Sequence, residues 1–279
     1  MTTSLRSRLT EPTALVALGA HDRLTARIAE RSGIEALYHG GYALAAHHFG
    51  LPDVGLVGRA EVVESVRRMR AATELPIVVD ADTGYGSEAG AWLTTRELEA
   101  AGANAIQIED QVSPKRCGHM EGKEVIPAEE MVLKVRAAVA ARRSDETLVI
   151  ARSDALQVTG LEDTIERCIA YGEAGADLVF VDAPRSVEEY RTIAERCPTP
   201  CVANMSETGR SPTIPTPELE EMGYRLVIFP STQTWVFAKA YEELCRAVVG
   251  ERTTASLADR FTSFDDVNAL LGLAEWQSR

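Results

Sequence analysis

The chain has 279 residues, enough for one large domain with a sizeable core, and its apolar and charged fractions are those of an ordinary globular protein. A net charge of −13 argues against a nucleic-acid surface, though not against an anionic substrate, because a local site can be basic on an acidic protein. No apolar run approaches a membrane span, and Met-Thr-Thr-Ser-Leu-Arg-Ser-Arg at the start lacks a signal peptide's apolar core, so no membrane partner and a cytoplasmic location are expected.

Residues 1–13 read as a loose lead-in or a short helix. Ala14–Gly19 is a short apolar run ended by glycine, the mark of a buried strand. Asp22 offers an N-cap for a helix over Arg23–Ser32. Ala36–Tyr38 is the next strand, ending at His39-Gly40-Gly41, and a longer region, Tyr42–Gly58, carries Leu51-Pro52-Asp53 in a loop. Helix and strand then alternate: Glu61–Ala72 and Leu75–Asp80, Glu88–Ala101 and Ala105–Glu109. A long helix from Pro127 to Arg143 leads to strand Leu148–Arg152. Leu161–Ala174, Val187–Cys197, Pro217–Met222 and Thr234–Val249 read as helices around strands Leu178–Val181, Cys201–Ala203 and Leu226–Phe229. Strict alternation implies a parallel sheet covered by helices. Eight units in this length fit a closed (β/α)8 barrel, here residues 1–254, better than an open sheet, and no Gly-x-Gly-x-x-Gly follows the first strand. Residues 255–279 read as a helical tail.

Active-site groups of such barrels sit at the C-terminal ends of the strands. Those ends read Tyr38-His39-Gly40-Gly41, Asp80 and Asp82, Glu109 and Asp110, Arg152 and Asp154, Asp182, Asn204 and Glu207, and Pro230-Ser231. Polar groups gather there while the strand interiors are apolar. Hard carboxylate oxygens suit Mg²⁺, with Mn²⁺ as a possible substitute. Cys117, between Lys115-Arg116 and Gly118-His119, has the surroundings of a thiol that serves as acid, base or nucleophile. The bland alternatives are helix caps for Asp80 and Asp82, packing for Cys117 and a structural ion pair for Arg152. Two acids at one strand end joined by Glu109 favour metal binding. The other cysteines, Cys168, Cys197, Cys201 and Cys245, read as packing residues; an odd total without Cys-x-x-Cys speaks against a disulfide framework or a zinc cluster.

Six motifs in order, Gly50-Leu51-Pro52-Asp53, Asp80-Ala81-Asp82-Thr83-Gly84-Tyr85-Gly86, Ile108-Glu109-Asp110-Gln111, Pro114-Lys115-Arg116-Cys117-Gly118-His119, Ala151-Arg152-Ser153-Asp154-Ala155 and Ala203-Asn204-Met205-Ser206-Glu207, resemble the isocitrate lyase / phosphoenolpyruvate mutase superfamily over nearly the whole chain. The nearest likeness is to the short branch, with its 2-methylisocitrate lyases, dimethylmalate lyases and carboxyphosphonoenolpyruvate mutases. The resemblance implies a Mg²⁺-dependent barrel, a homotetramer with C-terminal helices swapped between subunits, and a small anionic carboxylate substrate. It implies metal binding by Asp80, Asp82 and Glu109, partly through water, with Asp53 on a mobile loop beside metal and substrate. Cys117 would be the general acid/base on a gating loop with Lys115, Gly118 and His119. Arg152 would grip a carboxylate, and Tyr38, Gly40, Gly41, Tyr42, Asp182, Asn204, Glu207 and Ser231 would complete the substrate site.

The implied activity is carbon–carbon cleavage of a small 2-hydroxy di- or tricarboxylate to a 2-oxo acid. Alternatives are phosphonomutase chemistry, oxaloacetate decarboxylation or hydrolysis, and the reverse condensation. Several positions depart from the family pattern. Gly40-Gly41 stands where a Ser-Gly pair is usual, Tyr42 adds bulk, and Asp182 replaces the customary Glu. His39, His47 and His48 crowd the same region, with packing and substrate contact evenly matched for them. Trp235 and Trp276 read as core or interface residues.

Overall fold

The computed structural model describes residues 4–118 and 120–278. Eight strands close into a parallel barrel in sequence order: β1 (Leu15–Gly19), β2 (Ala36–His39), β3 (Ile77–Asp80), β4 (Ala105–Glu109), β5 (Leu148–Ser153), β6 (Leu178–Val181), β7 (Cys201–Asn204) and β8 (Leu226–Phe229). The helices are α1 (Leu5–Arg8), α2 (Arg23–Arg31), α3 (Gly41–Leu44), α4 (Arg59–Arg70), α5 (Glu88–Ala101), α6 (Ala128–Ala141), α7 (Leu161–Glu173), α8 (Val187–Arg196), α9 (Thr216–Met222), α10 (Thr232–Gly250), α11 (Phe264–Leu270) and α12 (Leu273–Gln277). β1 closes the ring by pairing with both β2 and β8, Ala17 opposite Ala36 and Leu15 opposite Leu226. The expected (β/α)8 barrel is therefore the fold, and the expected strand and helix bounds hold to within two residues.

Short, almost wholly apolar strands need cover on both faces, and a barrel ringed by helices supplies it. Side chains alternate across each strand. Ala17, Tyr38, Val78, Ile150 and Phe180 fill the barrel, while their neighbours Leu37, Val79, Ala151 and Val179 face the helical layer. Leu5 of α1 joins the interior set. The same period of two carries the inward face on to Gly40, Asp80, Arg152, Asp182 and Asn204 as each strand ends, so apolar packing hands over to chemistry within one or two residues.

The segment after β2 differs from expectation. In place of an open loop, α3 runs into a π-helical turn, Ala45–Phe49. The run Ala43-Leu44-Ala45 favours helix and is buried. This turn fixes the histidines. The His21 and His47 rings stack with centroids 3.5 Å apart at 7°, His48 Nε2 lies 2.6 Å from the carbonyl of His21, and His39 Nε2 lies 2.8 Å from Ser65 Oγ.

Beyond α10 a 3-10 turn (Ala255–Arg260), α11 and α12 contain no buried residue. They are tied to α2 by Arg27 Nη1 donating to Leu270 O at 2.8 Å and Arg31 Nη1 to Asp266 O at 3.4 Å. Apolar side chains remain exposed here and on α10, among them Phe237, Tyr241, Val249, Phe264 and Trp276. Trp235 is half-buried and packs on Tyr42 with ring centroids 5.3 Å apart. Among the described residues no helix is long and apolar enough to cross a membrane.

Burial pushes the His39 imidazole down to about 4. Between that value and the ordinary His range near 6.5, the unfolded chain binds a proton that the folded chain refuses. Stability from this group is complete above pH 6.5 and is lost as the pH falls, by about 2 kcal/mol at pH 5. His39→Gln should therefore lose about 2 kcal/mol less than the wild type between pH 7 and pH 5 in urea unfolding; equal losses would remove His39 as the source.

Candidate active site at the barrel mouth

A cavity with about 50 Å³ open to the centres of water molecules lies at the C-terminal ends of the strands. It is lined by Tyr38, Gly40, Gly41 and Tyr42 from the β2 end, Asp53 and Asp80, Lys115, Cys117 and Gly118 from the loop after β4, and Arg152, Asp182, Asn204 and Ser231 from later strand ends. All of these are positions that sequence reasoning nominated. Phe180, Ser206, Ile228 and Pro230 also line it. Phe180 and Ile228 stand two residues before Asp182 and Pro230, so the inward period of two was the signal that would have found them.

On one side lies a buried acid cluster. Asp80 Oδ1 accepts from the Asp82 N–H at 3.1 Å and from Gln107 Nε2 at 3.3 Å, and Asp80 Oδ2 accepts from the Gly41 N–H at 3.4 Å. Asp82 adopts φ +47, a left-handed conformation that Asp tolerates better than most residues. Lys115 Nζ stands 2.7 Å from Asp53 Oδ1 and 2.8 Å from Asp82 Oδ1. Asp82 Oδ1 is a buried oxygen, and the Lys115 ammonium is the cation that faces it. Burial pushes the Asp82 carboxyl up to about 6, with Asp80 and Asp53 adding to the rise and Lys115 opposing it. Burial likewise holds Glu109 well above the usual carboxylate range. For Lys115, burial would lower the ammonium, but Asp82, Asp53, Asp80 and Glu109 more than offset it and keep it charged.

On the other side Arg152 makes a two-pronged contact with Asp154, Nε to Oδ2 at 2.8 Å and Nη2 to Oδ1 at 2.9 Å. Its Nε and Nη2 also approach Glu109 Oε2 and Asp182 Oδ2, each at 3.3 Å, and its guanidinium lies over the Phe180 ring. Burial raises the Asp154 carboxyl, but Arg152 and Lys123 outweigh it and hold Asp154 well below the usual range. Asp110 lies behind this network: its carboxylate accepts from Ser153 Oγ, the Asp154 N–H and Tyr171 Oη, each at 2.8 Å. Asp182 Oδ2 and Asn204 Oδ1 are buried and have no hydrogen-bond partner among the described residues. Both residues line the cavity; Asp182 Oδ2 is engaged by the charges of Arg152 and Lys123, whereas Asn204 Oδ1 is an acceptor available to whatever occupies the cavity.

The loop bearing Cys117 comes down onto this floor. The Cys117 N–H donates to the Asp53 carbonyl at 3.2 Å. Gly118 is packed so closely on Asp182 Oδ2 and Arg152 Nη2 that a Cβ there would overlap both. Glycine is required at this point for close approach. His119, nominated with this loop, lies outside the described residues.

Two expectations need correction, and the even choice left for the histidines falls to packing. Glu207 does not line the cavity: it is exposed, its carboxylate accepts from Thr232 Oγ1 at 2.6 Å, and the preceding Ser206 faces inward instead. His39, His47 and His48 do not line it either, being held by Ser65, Thr234 and the His21 carbonyl. The three acids assigned to a metal do not converge into a finished ligand group among the described residues. They nevertheless fit a divalent cation in kind. Asp53, Asp80, Asp82 and Glu109 are buried hard-oxygen donors; Lys115 is the ammonium beside Asp53 and Asp82, while Glu109 meets Arg152 Nε at 3.3 Å and accepts from Gln111 Nε2 at 2.9 Å.

A (β/α)8 barrel with an acid cluster, a thiol loop and a guanidinium around one small cavity has the architecture of an enzyme active site. Residues 5–249 match the family model described as phosphoenolpyruvate phosphomutase, and the chain belongs to that family. It is 42% identical over 269 residues to the 2,3-dimethylmalate lyase of Eubacterium barkeri, covering 96% of this chain and 93% of that protein. Its fold is similar to a structure of oxaloacetate acetylhydrolase in complex with the inhibitor 3,3-difluorooxalacetate, with a TM-score of 0.92, 31% identity, and coverage of 99% of this chain and 94% of that one. It is also similar to a phosphonopyruvate hydrolase in complex with oxalate and Mg²⁺, with a TM-score of 0.89, 26% identity, and coverage of 98% and 95%.

Gly118→Ala should keep the barrel but prevent the loop from seating. Its thermal unfolding midpoint should match the wild type while turnover falls by about 100-fold; undiminished turnover would show that the close packing of Gly118 on Arg152 and Asp182 is not needed for reaction.

Proposed function

We propose that the protein is a Mg²⁺-dependent carbon–carbon lyase that splits a small 2-hydroxy dicarboxylate of the alkylmalate type into a 2-oxo acid and a second carboxylate. The observation that carries this reading is that Cys117, Asp80, Arg152 and the unpartnered Asn204 Oδ1 surround one small cavity. The lining cations are Lys115 and Arg152, and the rest of the wall includes Phe180, Ile228, Pro230, Ser206 and Ser231. Two carboxylates and a short alkyl arm match that wall better than three carboxylates do.

Asp80, Asp82 and Glu109, with Asp53 close by, would hold Mg²⁺, which supplies stabilisation of negative charge on the 2-oxo acid half. Arg152 and the backbone of the Gly40-Gly41 turn, whose Gly41 N–H also reaches Asp80, orient the substrate carboxylates. Loss of the 2-hydroxyl proton to a base turns that carbon into the ketone as the bond to its neighbour breaks. The bonding pair stays on the carbon alpha to the second carboxylate, and the Cys117 thiol is placed to protonate it. Glycine at position 118 lets the loop lie flat on Arg152 and Asp182, which keeps water from the carbanion.

The test is a panel of alkylmalates, methylisocitrate, isocitrate and oxaloacetate assayed for released 2-oxo acid with and without EDTA, with ³¹P NMR of phosphonopyruvate in parallel. Cleavage of an alkylmalate that EDTA abolishes is the expected result; a new phosphorus resonance without any cleavage would place the chain among the mutases. Cys117→Ser should lose about 100-fold or more in turnover while binding Mg²⁺ normally by calorimetry, and Asp80→Ala should lose the binding itself. The opposite pattern would overturn both assignments.

The reading includes a homotetramer that exchanges C-terminal helices, supported by the exposed apolar side chains of α10 and of the tail, such as Phe264 at 82% exposure. Light scattering should return about four times the 30.3 kDa chain mass; a monomer would contradict it.

A further inference from the structure

Outside the groups already given a role, one buried cation at the site has no assignment. Lys123 is buried, its side chain 2% exposed. It lies where the Cys117 loop returns to the barrel. The loop rises from a short antiparallel stem in which Val112 N–H donates to Glu124 O at 2.8 Å and Ile126 N–H to Asp110 O at 2.9 Å, so Lys123 sits where the loop re-enters the stem. From there Nζ reaches back to donate to the Gly118 carbonyl at 2.6 Å and to Asp154 Oδ1 at 2.9 Å, and lies 3.6 Å from Asp182 Oδ2.

Burying an ammonium is costly unless its three N–H groups find acceptors. Asp154 and Asp182 supply the counter-charge. The Gly118 carbonyl is a different kind of partner, because it belongs to the loop and stands next to Cys117. Three successive loop residues are in fact held from three separate places. Gln111 grips the Arg116 peptide, Oε1 accepting from its N–H at 3.1 Å and Nε2 donating to its carbonyl at 2.9 Å. The Asp53 carbonyl takes the Cys117 N–H at 3.2 Å. Lys123 takes the Gly118 carbonyl. Of the three holds, this one alone shares a carboxylate oxygen with Arg152: Asp154 Oδ1 accepts from Arg152 Nη2 and from Lys123 Nζ, both at 2.9 Å.

We propose that Lys123 is a positioning residue, a latch that fixes the Gly118 carbonyl and so sets Cys117 over the cavity, and that links loop closure to the orientation of Arg152 through Asp154. It touches neither the cavity nor the reacting atoms, since it is absent from the cavity wall. The consequence for turnover rests on the proposed role of Cys117; the consequence for the loop does not.

The test replaces the ammonium by an apolar chain of similar length, Lys123→Met, in the full-length protein. Amide hydrogen exchange of the 115–122 segment, read without substrate, should accelerate by about tenfold or more. With the acid identified by the panel, kcat should fall by about tenfold or more while KM moves less than about threefold. Lys123→Gln, which keeps a donor, should recover part of the loop's protection and of kcat. A structural role alone would lower the folded fraction without changing the loop's exchange relative to the barrel, and that result would overturn the latch. Unchanged exchange in a folded Lys123→Met protein would do the same, whatever reaction is catalysed, and failure of both variants to fold would assign Lys123 to the core and sink the proposal. If no panel acid is turned over, the proposed function fails while the exchange measurement still decides the latch.

Discussion

The barrel mouth holds more buried negative charge than positive, and much of the local structure answers to that. Asp53, Asp80, Asp82, Glu109, Asp154 and Asp182 are buried there, against the buried cations Lys115, Lys123 and Arg152. Isolated carboxylates in such a setting would take up protons. The protein resolves the imbalance unevenly. Asp154, gripped by Arg152 and Lys123, stays ionised. Asp82 and Glu109, less well served, are driven upward by burial. The under-neutralised half is the half with hard oxygens at two adjacent strand ends, β3 and β4, where a divalent cation is worth most. The well-neutralised half is the one that holds the Arg152 guanidinium rigid. The proposed division between a metal end and an anion end matches this distribution of counter-charge.

The thiol loop depends on the same charges. Its approach is held by Lys115 among the acids on one side and by Lys123 on the other, with Gln111 and the Asp53 carbonyl between them. Each hold alone is an ordinary hydrogen bond or ion pair. Together they restrict three consecutive peptide units, which is how a loop achieves the placement that proton transfer demands. Because both lysines are anchored in the cavity's own carboxylates, loop position and site electrostatics cannot change independently. A change of charge at the acid cluster is felt at Lys115, and a movement of Arg152 is felt at Lys123.

The sequence made the barrel legible because most strands are short runs buried on both faces and several helices carry start or stop signals, such as the Asp22 and Ser186 caps. It made most of the cavity wall legible because polar residues at strand ends have few other reasons to be there. What it hid follows from physics that acts across the fold. Nothing local marks Lys123 as buried; its partners lie just past the ends of β5 and β6 and on the far limb of its own loop. Gln107, whose Nε2 donates to Asp80 and whose Oε1 accepts from Tyr38 Oη at 3.1 Å, reads in sequence as one more strand residue. Glu207 was misleading for the opposite reason: its motif places it beside Asn204, yet side chains alternate after a strand end, and Ser206 takes the inward direction. The histidines after β2 cluster in sequence near the site, but helical geometry turns them toward β1 and α10.

Gly40 shows how these layers act on one position. A Cβ there would crowd the Tyr38 ring at 3.1 Å, and that ring is held in place by its hydroxyl on Gln107, which in turn holds Asp80. A serine at position 40 would require the Tyr38 ring, tied by its hydroxyl to Gln107, to give by a few tenths of an ångström. The departure from the Ser-Gly pair is therefore not a lost hydroxyl alone. It belongs to a packing arrangement in which an aromatic ring inside the barrel, through Gln107, helps to set the floor on which Asp80 stands.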